Sequence, residues 1–419
     1  MPYNRTAFLF MGFFYDIMMS LMVLAIRLAS PFNRKAKLWI RGRKGIFKRL
    51  RETIDPNADV AWFHAASLGE FEQGRPVIEA FRQKYPHYKI LLTFFSPSGY
   101  EHRKNYPGAD YIYYLPIDTS RNARRFVEIA HPKIAVFIKY EFWSNYLRFL
   151  HRSGARIFSI SAIFRRKSGF FSKVYGRRYR RLLDYFEHIF VQNEISRRRL
   201  RAVGITNVTV AGDTRFDRVH DIARQAKVIP LLESFASGDK PVFIAGSTWP
   251  ADEELIIPLI NESPKTKFII APHEIHEDRI EKLITLTKRP TVRYTRQEAG
   301  ADISSAEVLI IDTIGVLSSA YRYARFAYIG GGFGVGIHNT LEAATFGLPL
   351  SFGPNYRKFQ EAIDLISMGG AASINSYFEL KTWFRTLRDH ETEYNLAAQR
   401  TREYVEKGRG ATAIILAQL

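Results

Sequence analysis

The chain has 419 residues, 46% of them hydrophobic, and it contains no long polar tract. That length favours two globular domains, and that composition excludes a largely disordered protein. Lysine and arginine number 61 against 41 acidic residues, a formal charge of +20, which favours an anionic partner: a nucleic acid, an anionic membrane or a phosphorylated substrate. The absence of cysteine excludes disulfides, thiolate nucleophiles and cysteine-based zinc sites, and it permits a cytoplasmic location.

The N-terminal part of the chain contains an apolar segment, residues 7–26, in which Asp16 is the one charged residue. A helix of that length can cross a hydrocarbon core of about 30 Å. Basic residues are dense after the segment, whereas only Arg5 precedes it, so we expect its C-terminal side in the cytoplasm. A mid-bilayer carboxylate is costly, so an interfacial helix or a buried core helix remains an alternative. We predict membrane attachment, with residues 1–50 as an anchoring helix and a basic juxtamembrane segment.

From residue 60 onward, short apolar runs alternate with helical stretches, a pattern typical of parallel α/β sheets. The first half has predicted strands at 60–64, 89–95, 134–138, 156–160, 188–192 and 208–210. A polar helical link near 217–226 precedes further strands at 242–245, 268–271, 308–311, 326–329 and 349–352. We therefore predict an α/β fold with two doubly wound domains, residues 51–225 and 226–419. Ligands in such folds bind beyond the carboxyl ends of the strands, so the loops there are candidate sites.

The first of these loops, HAASLGEFEQG at 64–74, contains Glu70 just before a helix predicted at 71–85. Ser67 and Glu70 have the spacing of a capping box, in which each side chain satisfies the other's backbone donor. The residues alone favour that interpretation. The alternative is a general base that takes a proton from an attacking hydroxyl. Glu141, after the strand at 134–138, also lies at a predicted helix start and has the same two interpretations.

Further polar residues follow the later strands. Arg215 lies in AGDTRFD, after the strand at 208–210. Ser247 and Thr248 can cap a helix, donate to a phosphate, or both. His273 and His276 are three residues apart, a spacing that suggests a zinc site. No third ligand lies nearby in the sequence, so we expect no metal there.

A glycine-rich stretch, YIGGGFGVGIHNTLEAATFGLPLSFGPN at 328–355, has the pattern of a strand, a loop, a helix from Asn339 to Gly347, and a strand. Glycines let backbone approach a phosphate, and a helix N-terminus offers free N–H donors. Glu342 could accept hydrogen bonds from a ribose diol. Glycine turns also occur for packing alone, and the G-x-G-x-x-G spacing is absent. Nucleotide binding and packing both remain open.

A basic run at 165–181, RRKSGFFSKVYGRRYRR, contains four aromatic residues: Phe170, Phe171, Tyr175 and Tyr179. The usual interpretation is a solvated helix face. Interleaved rings and arginines could instead stack on single-stranded nucleic acid. They could also bind membrane headgroups or a phosphorylated lipid, because Arg forks match phosphate and rings favour the interface. The apolar N-terminal segment favours the last interpretation.

Four motifs, taken together and in order, resemble those of the Kdo transferases, glycosyltransferase family 30: HAASLGE, the E-x-W-x-N of 141–145, GDTRFD and GGGFGVGIHNTLEA. That family transfers 3-deoxy-D-manno-octulosonic acid (Kdo) from CMP-Kdo to lipid A precursors. The resemblance extends from the apolar N-terminus to about Met368. It implies a GT-B fold, with two Rossmann-like domains facing a cleft and an N-terminal membrane helix, and no cofactor.

The resemblance also implies roles for individual residues. Glu70 matches the catalytic base of the family's S-x-G-E motif, which reverses the preference for a helix cap, and Glu141 and Arg215 match positions that stabilise the transition state. The positions that contact CMP in the family correspond to Pro272, His273, Ile314, Gly315, Val316, Asn339, Thr340, Leu341 and Glu342. Four positions depart from the pattern: many members have Arg at His273, Glu at Val316, Pro at Ser144 and Lys at Arg215.

The resulting hypothesis is an inverting, metal-independent transfer of Kdo from CMP-Kdo to the 6′-hydroxyl of a lipid A precursor of the lipid IVA type, in lipopolysaccharide core biosynthesis. The expected partners are the CMP-Kdo donor, the phosphorylated lipid acceptor and the cytoplasmic face of an anionic inner membrane, with no nucleic acid. One alternative is another GT-B enzyme that uses a UDP-sugar. A second is a membrane-tethered nucleic-acid-binding protein, suggested by the charge of +20.

Overall fold

A computed structural model describes residues 5–166, 168–172, 176–225 and 228–419, apart from the side chains of residues 5–13 and 178. The chain forms two compact units, Met1–Arg218 with Arg409–Leu419, and Val219–Gly408. This division differs from the predicted domains 51–225 and 226–419, because the C-terminal segment belongs to the first unit. Ile415 and Leu419 are buried in that unit's core, and Asp217 accepts hydrogen bonds from the amides of Gly410 and Thr412, both at 2.7 Å.

The first unit is built on a parallel sheet of seven strands in the order β3-β2-β1-β4-β5-β6-β7. The strands are β1 (Val60–Ala65), β2 (Lys89–Phe94), β3 (Tyr111–Tyr114), β4 (Pro132–Ile138), β5 (Arg156–Ala162), β6 (His188–Val191) and β7 (Val208–Val210). The helices are α1 (Arg5–Ala29), α2 (Arg34–Arg43), α3 (Ile46–Thr53), α4 (Leu68–Lys84), α5 (Pro97–Arg103), α6 (Ser120–Ala130), α7 (Ser144–Arg152), α8 (Gly176–Leu183), α9 (Glu194–Arg201) and α10 (Arg215–Gln225), which continues into the second unit.

The central strands are buried on both faces, which explains why they appear in the sequence as continuous apolar runs. Every residue of β1 is buried. Successive side chains point to opposite faces of a strand, so Trp62 packs against Phe126 and Tyr146 on one side and Phe63 packs against Phe81 on the other. The chain order of the strands reverses between β1 and β4, and the crevice at such a reversal is where α/β sheets bind ligands.

The second unit has a parallel sheet of seven strands in the order β10-β11-β9-β8-β12-β13-β14, with its reversal between β8 and β12. Its strands are β8 (Val242–Thr248), β9 (Lys267–Pro272), β10 (Thr291–Arg293), β11 (Val308–Ile310), β12 (Phe326–Ile329), β13 (Leu350–Phe352) and β14 (Ala371–Ser373). The helices are α11 (Pro230–Ala236), α12 (Pro250–Asn261), α13 (Glu277–Leu286), α14 (Leu317–Ala320), α15 (Leu341–Ala344), α16 (Gln360–Met368), α17 (Tyr377–Asp389) and α18 (Glu391–Gly408). A last helix, α19 (Ala411–Leu416), lies in the first unit.

The N-terminal helix α1 packs against the first unit. The carboxylate of Asp16 accepts hydrogen bonds from the amide of Ser120 (3.1 Å) and from Nδ2 of Asn145 (2.9 Å), and the hydroxyl of Tyr15 donates to Asp118 (2.8 Å). Among the described residues, no helix has both the length and the apolar character needed to cross a membrane. The predicted anchoring segment therefore forms a helix, and its Asp16 is hydrogen-bonded to the first unit.

Candidate active site

Glu70 lies in the first turn of α4, beyond the carboxyl end of β1. Its Oε2 accepts a 2.6 Å hydrogen bond from the amide of Ala66. Ser67 is the N-cap residue, but its side chain makes no capping hydrogen bond within the described structure. The capping box preferred from the residues alone is therefore wrong in its serine half, and Glu70 reaches back to the backbone without a reciprocal partner.

The environment of Glu70 raises the pKa of its carboxyl group to about 7. Burial is the largest cause, and the negative charge of Glu141 is the second. The amide of Ala66 and the positive charge of Lys139 oppose the shift. A carboxyl group with a pKa near neutrality is suited to accept a proton at physiological pH, since general bases work best when their pKa is close to the working pH.

Glu141 lies in the loop after β4, on the other side of the strand-order reversal. It is 9% exposed, and its Oε2 accepts a 2.6 Å hydrogen bond from Nε1 of Trp143 and lies 3.2 Å from Nε2 of His64. The helix α7 begins only at Ser144, so Glu141 does not start a helix as predicted. Side chains hold this carboxylate, which makes it a fixed negative charge beside Glu70.

Arg215, the third predicted catalytic residue, is the first residue of α10. Its guanidinium donates to Oδ2 of Asp213 through Nε (2.9 Å) and Nη2 (2.7 Å). Nε2 of Gln73, in α4, lies 3.5 Å from Oδ1 of the same aspartate. The structure thus places Glu141 close enough for its charge to act on Glu70, and it links Arg215 to α4 through Asp213 and Gln73.

Sequence reasoning missed three side chains of this site: His64, Lys139 and Trp143. His64 is fully buried at the carboxyl end of β1, and Lys139 has a φ of 69°, a left-handed backbone conformation that is rare outside glycine. Such strained residues cluster at functional sites. His64 could have been noticed because it is a polar residue near the end of an otherwise apolar strand. The positive φ of Lys139 could not be predicted from the sequence.

Of the three described aromatic residues in the basic run, two belong to or pack against the hydrophobic core. Phe170 is 7% exposed and belongs to the hydrophobic core with Phe142 and Phe164, and Phe171 packs against the same cluster. Tyr179 is 50% exposed, and Tyr175 lies outside the described residues. Because Phe170 and Phe171 contribute to the hydrophobic core, they are not available to stack on bases. This weakens the interpretation of the basic run as a binding site for single-stranded nucleic acid.

The start of the basic run lies near the carboxylates. The positive charge of Arg165 acts on the phenol of Tyr140, and so does the negative charge of Glu70. The pKa of Tyr140 is raised, chiefly by burial, although the residue is still 42% exposed. An exposed arginine therefore adjoins the surface on which Glu70 lies.

In the second unit, several amides of the glycine-rich loop after β12 donate hydrogen bonds to the protein itself. Five of its amides have protein acceptors: those of Gly330, Gly331, Gly334, Gly336 and His338. A Cβ on Gly330 would lie 2.2 Å from the carbonyl oxygen of Ser247, and one on Gly332 would lie 2.5 Å from the amide nitrogen of Gly353. These glycines allow close backbone packing, the alternative that the sequence left open, and the five amides are not free donors for a phosphate.

The helix predicted from Asn339 to Gly347 is only the single turn α15, Leu341–Ala344. Nδ2 of Asn339 donates to Oε1 of Glu342 (3.0 Å), and Oδ1 of Asn339 accepts from the amide of Leu341 (3.2 Å). The hydroxyl of buried Thr340 has no hydrogen-bond partner among the described residues. The predicted CMP-contacting residues 339–342 therefore form one compact turn.

A stack of three rings lies beside this turn. His273 stacks on Trp249 with ring centroids 4.7 Å apart and on His338 with centroids 4.4 Å apart, while Nε1 of Trp249 donates to Nε2 of His338 (3.2 Å). Burial and the neighbouring His273 lower the pKa of His338. His273, predicted from the resemblance, thus meets Trp249 and His338, which were not predicted.

The remaining predicted CMP-contacting residues follow two other strands. Pro272 is the last residue of β9, next to β8 in the sheet. Ile314, Gly315 and Val316 follow β11, one strand further out, and Ile314 is 91% exposed. The second unit therefore carries all nine predicted positions in loops at or next to the carboxyl ends of its strands, near the reversal between β8 and β12.

A family profile described as 3-deoxy-D-manno-octulosonic-acid transferase (kdotransferase) matches residues 40–218. The 3-deoxy-D-manno-octulosonic acid transferase of Chlamydophila psittaci is 27% identical over 83% of this chain and 80% of its own length. The transferase of the same name from Aquifex aeolicus is 25% identical over 86% of this chain and 95% of its own length.

Two solved structures resemble the fold. UDP-GlcNAc 2-epimerase from Neisseria meningitidis, bound to UDP-GlcNAc, gives a TM-score of 0.60 at 15% identity, covering 86% of this chain and 99% of that one. MurG from Acinetobacter baumannii gives a TM-score of 0.53 at 14% identity, covering 86% and 98%. These similarities confirm the predicted α/β fold class with two Rossmann-like domains. The family profile and the curated relatives, in turn, support assignment of the chain to the 3-deoxy-D-manno-octulosonic acid transferase family, a family of glycosyltransferases.

Proposed function

We propose that the protein transfers Kdo from CMP-Kdo to the 6′-hydroxyl of a lipid A precursor, with inversion at the anomeric carbon and Glu70 as the general base. The observation that carries this proposal is the carboxyl group of Glu70, which has a pKa of about 7 at the carboxyl end of β1, beside the fixed negative charge of Glu141. A Kdo transferase needs a group that removes a proton from the acceptor hydroxyl, and the carboxylate of Glu70 has the required basicity.

The proposed step is a single displacement at the anomeric carbon of Kdo. The acceptor hydroxyl gives its proton to the Glu70 carboxylate while its oxygen forms a bond to the anomeric carbon of Kdo. The bond between that carbon and the phosphate oxygen breaks, and CMP leaves with the bonding electrons. Arg215 and Glu141 act on charge that develops during this displacement, as their positions in the family motifs imply.

Donor binding is assigned to the second unit. The single turn at 339–342 and the ring stack of Trp249, His273 and His338 lie in its post-strand loops, where nucleotides bind in doubly wound sheets. His273 and Val316 replace residues that many family members use, so the contacts to CMP at these two positions differ in chemistry from the family pattern. A neutral imidazole can donate one hydrogen bond to a phosphate, whereas a guanidinium can donate two parallel hydrogen bonds.

The acceptor side is assigned to the cytoplasmic face of an anionic inner membrane. Large apolar side chains form an exposed row along α1 and the turn after it, opposite the face that packs on the first unit: Phe14, Met18, Leu21, Leu24, Leu28 and Phe32. Basic side chains follow in α2, which suits an interface with anionic headgroups. Arg165 adjoins the Glu70 surface and supplies a positive charge for an acceptor phosphate.

The test is incubation of the full chain with CMP-Kdo and a tetraacylated lipid A precursor, followed by mass spectrometry. We expect a product heavier by one Kdo or by a whole number of Kdo residues, and a fall of about two to four orders of magnitude in turnover for Glu70→Gln. Excess CMP should inhibit and UDP should not, which separates this activity from that of a UDP-sugar transferase. Absence of the Kdo product, or turnover of Glu70→Gln within a few-fold of wild type, would contradict the proposal.

A further inference from the structure

His64 is a completely buried histidine whose two ring nitrogens both have polar partners. Nδ1 lies 2.8 Å from Oγ1 of Thr93 and 3.1 Å from its carbonyl oxygen, and Nε2 lies 3.2 Å from Oε2 of Glu141. Thr93 belongs to β2 and Glu141 follows β4, the two strands that flank β1. The ring therefore connects the neighbouring strands beneath the loop that carries Glu70.

The shorter contacts of two tryptophans indicate the direction of these hydrogen bonds, because an indole N–H can only donate. Nε1 of Trp62 donates to Oγ1 of Thr93 (2.7 Å), which leaves the threonine O–H available for Nδ1 of His64. Nε1 of Trp143 lies 2.6 Å from Oε2 of Glu141 and 3.2 Å from Nε2 of His64, so its proton is directed to the carboxylate. If Nε2 carried no proton, its lone pair would face the carboxylate oxygen.

We propose that His64 is a positioning residue for the transfer reaction: as the Nε2–H tautomer, it donates to Oε2 of Glu141 and fixes that carboxylate beside Glu70. This inference rests on the proposed role of Glu70 as the base. The chain of donors runs from Trp62 through Thr93 to His64 and ends at Glu141, which Trp143 holds from the other side. His64 acts through Glu141 and does not itself take part in the displacement.

The position of Glu141 affects the basicity of Glu70. The charged and titratable groups that act on Glu70 are Glu141 and Lys139, and the phenol of Tyr140 interacts with it in turn. Of these, the negative charge of Glu141 makes Glu70 more basic. If the hydrogen bond from His64 is lost, the Glu141 carboxylate is free to rotate toward solvent, where its charge acts less on Glu70 and Glu70 becomes less basic.

The matched substitutions are His64→Gln and His64→Asn. The amide nitrogen of Gln lies roughly where Nε2 lies and can donate to Glu141, whereas that of Asn lies roughly where Nδ1 lies and cannot. We expect His64→Asn to lower kcat about 10- to 100-fold, as loss of an orienting partner does at metal ligands. We also expect it to move the acid limb of kcat/KM to lower pH, while His64→Gln keeps the wild-type limb. The same pair at exposed His87 is the control.

Equal shifts of the acid limb in both His64 variants, or no shift in either, would overturn the proposal, because a purely structural histidine does not distinguish the two amides. The tautomer can also be read in the wild-type protein by nitrogen NMR with ¹⁵N-histidine labelling, in which the signal that is missing from His64→Gln identifies His64. That signal should show a protonated Nε2 and a bare Nδ1. A protonated Nδ1 with a bare Nε2 would refute the assignment whatever the activities of the variants.

The two hypotheses fail separately. Full turnover of Glu70→Gln would remove the base role proposed above, and the NMR readout would still report the tautomer of His64. Loss of turnover in Glu70→Gln, combined with an unchanged acid limb in His64→Asn, would leave the base intact and remove the positioning role of His64.

Discussion

The carboxylate of Glu141 raises the pKa of Glu70, although the two residues follow different strands of the sheet. Glu141 is held by the indole of Trp143, so the charge has a fixed position. A neighbouring negative charge disfavours ionisation of a carboxyl group, and at Glu70 this repulsion adds to the effect of burial. The pair thus provides a base that is half ionised near pH 7.

Replacing Glu141 by Gln removes this charge and keeps a group that can accept from Trp143. The pKa of Glu70 should then fall, so the base stays ionised to lower pH and the acid limb of kcat/KM moves down. At neutral pH, kcat should drop by about 10² or more if Glu141 also stabilises charge in the transition state. The pH profile of kcat/KM between pH 5 and 9 measures both effects. An acid limb that stays near pH 7 would mean that burial alone sets the basicity of Glu70.

Replacing Arg165 by Ala should weaken binding of the phosphorylated acceptor more than it slows the chemical step. A single arginine–phosphate contact at an exposed site contributes about 1 to 3 kcal/mol, so KM for the lipid precursor should rise about 5- to 150-fold with kcat within a few-fold. Steady-state kinetics at fixed detergent concentration give both constants. Arg124→Ala, an exposed arginine in α6 that pairs with Glu128, is the control and should leave KM unchanged.

Stability should depend on pH through Asp118, which receives the hydroxyl of Tyr15 and the amides of Asn145 and Tyr146. Burial raises its pKa from the usual 3.8 to about 7 despite these hydrogen bonds, with the charge of Asp16 adding to the shift. The folded state therefore binds the proton more tightly than the unfolded state, and this contribution to the free energy of unfolding falls as pH rises from about 4 to about 7.

Asp118→Asn removes this titration. Urea unfolding at several pH values between 4 and 7.5 should show a smaller decline of unfolding free energy with pH in the variant than in the wild type. Glu70, whose pKa is also raised, contributes to both proteins and cancels in the difference. Parallel curves for the two proteins would show that Asp118 keeps an ordinary pKa.

Gly330→Ala should destabilise the second unit by about 1 to 3 kcal/mol or more, because the new methyl group meets backbone atoms of Ser247 and Thr248 that cannot move away as a side chain does. Gly334→Ala is the matched control in the same loop, since its Cβ would have its nearest neighbour at 3.7 Å. Thermal unfolding of the two variants measures the difference. Equal melting temperatures would mean that the close contact at Gly330 relaxes without cost.

The sequence predicted the central strands because they are buried on both faces and appear as unbroken apolar runs. It missed β3, β10 and β14, and all three lie at the edges of their sheets. The side chains of β10 and three of the four in β3 are only partly buried, so no apolar run marks them. The pairing of an edge strand depends on a neighbour that is distant in sequence, and local patterns do not report it.

The amino-acid sequence by itself determined the two doubly wound halves, the motifs of the family and the loops in which its chemistry lies, because buried strands and post-strand loops leave a local pattern. Tertiary structure decided which interpretation of each residue holds. Ser67 and Glu70 match a helix cap in sequence, yet the properties of Glu70 depend on its burial and on Glu141 from another strand. Phe170 looks like part of a binding surface until its burial in the core is known. Electrostatics and burial are set by neighbours in space, and only the folded chain specifies those neighbours.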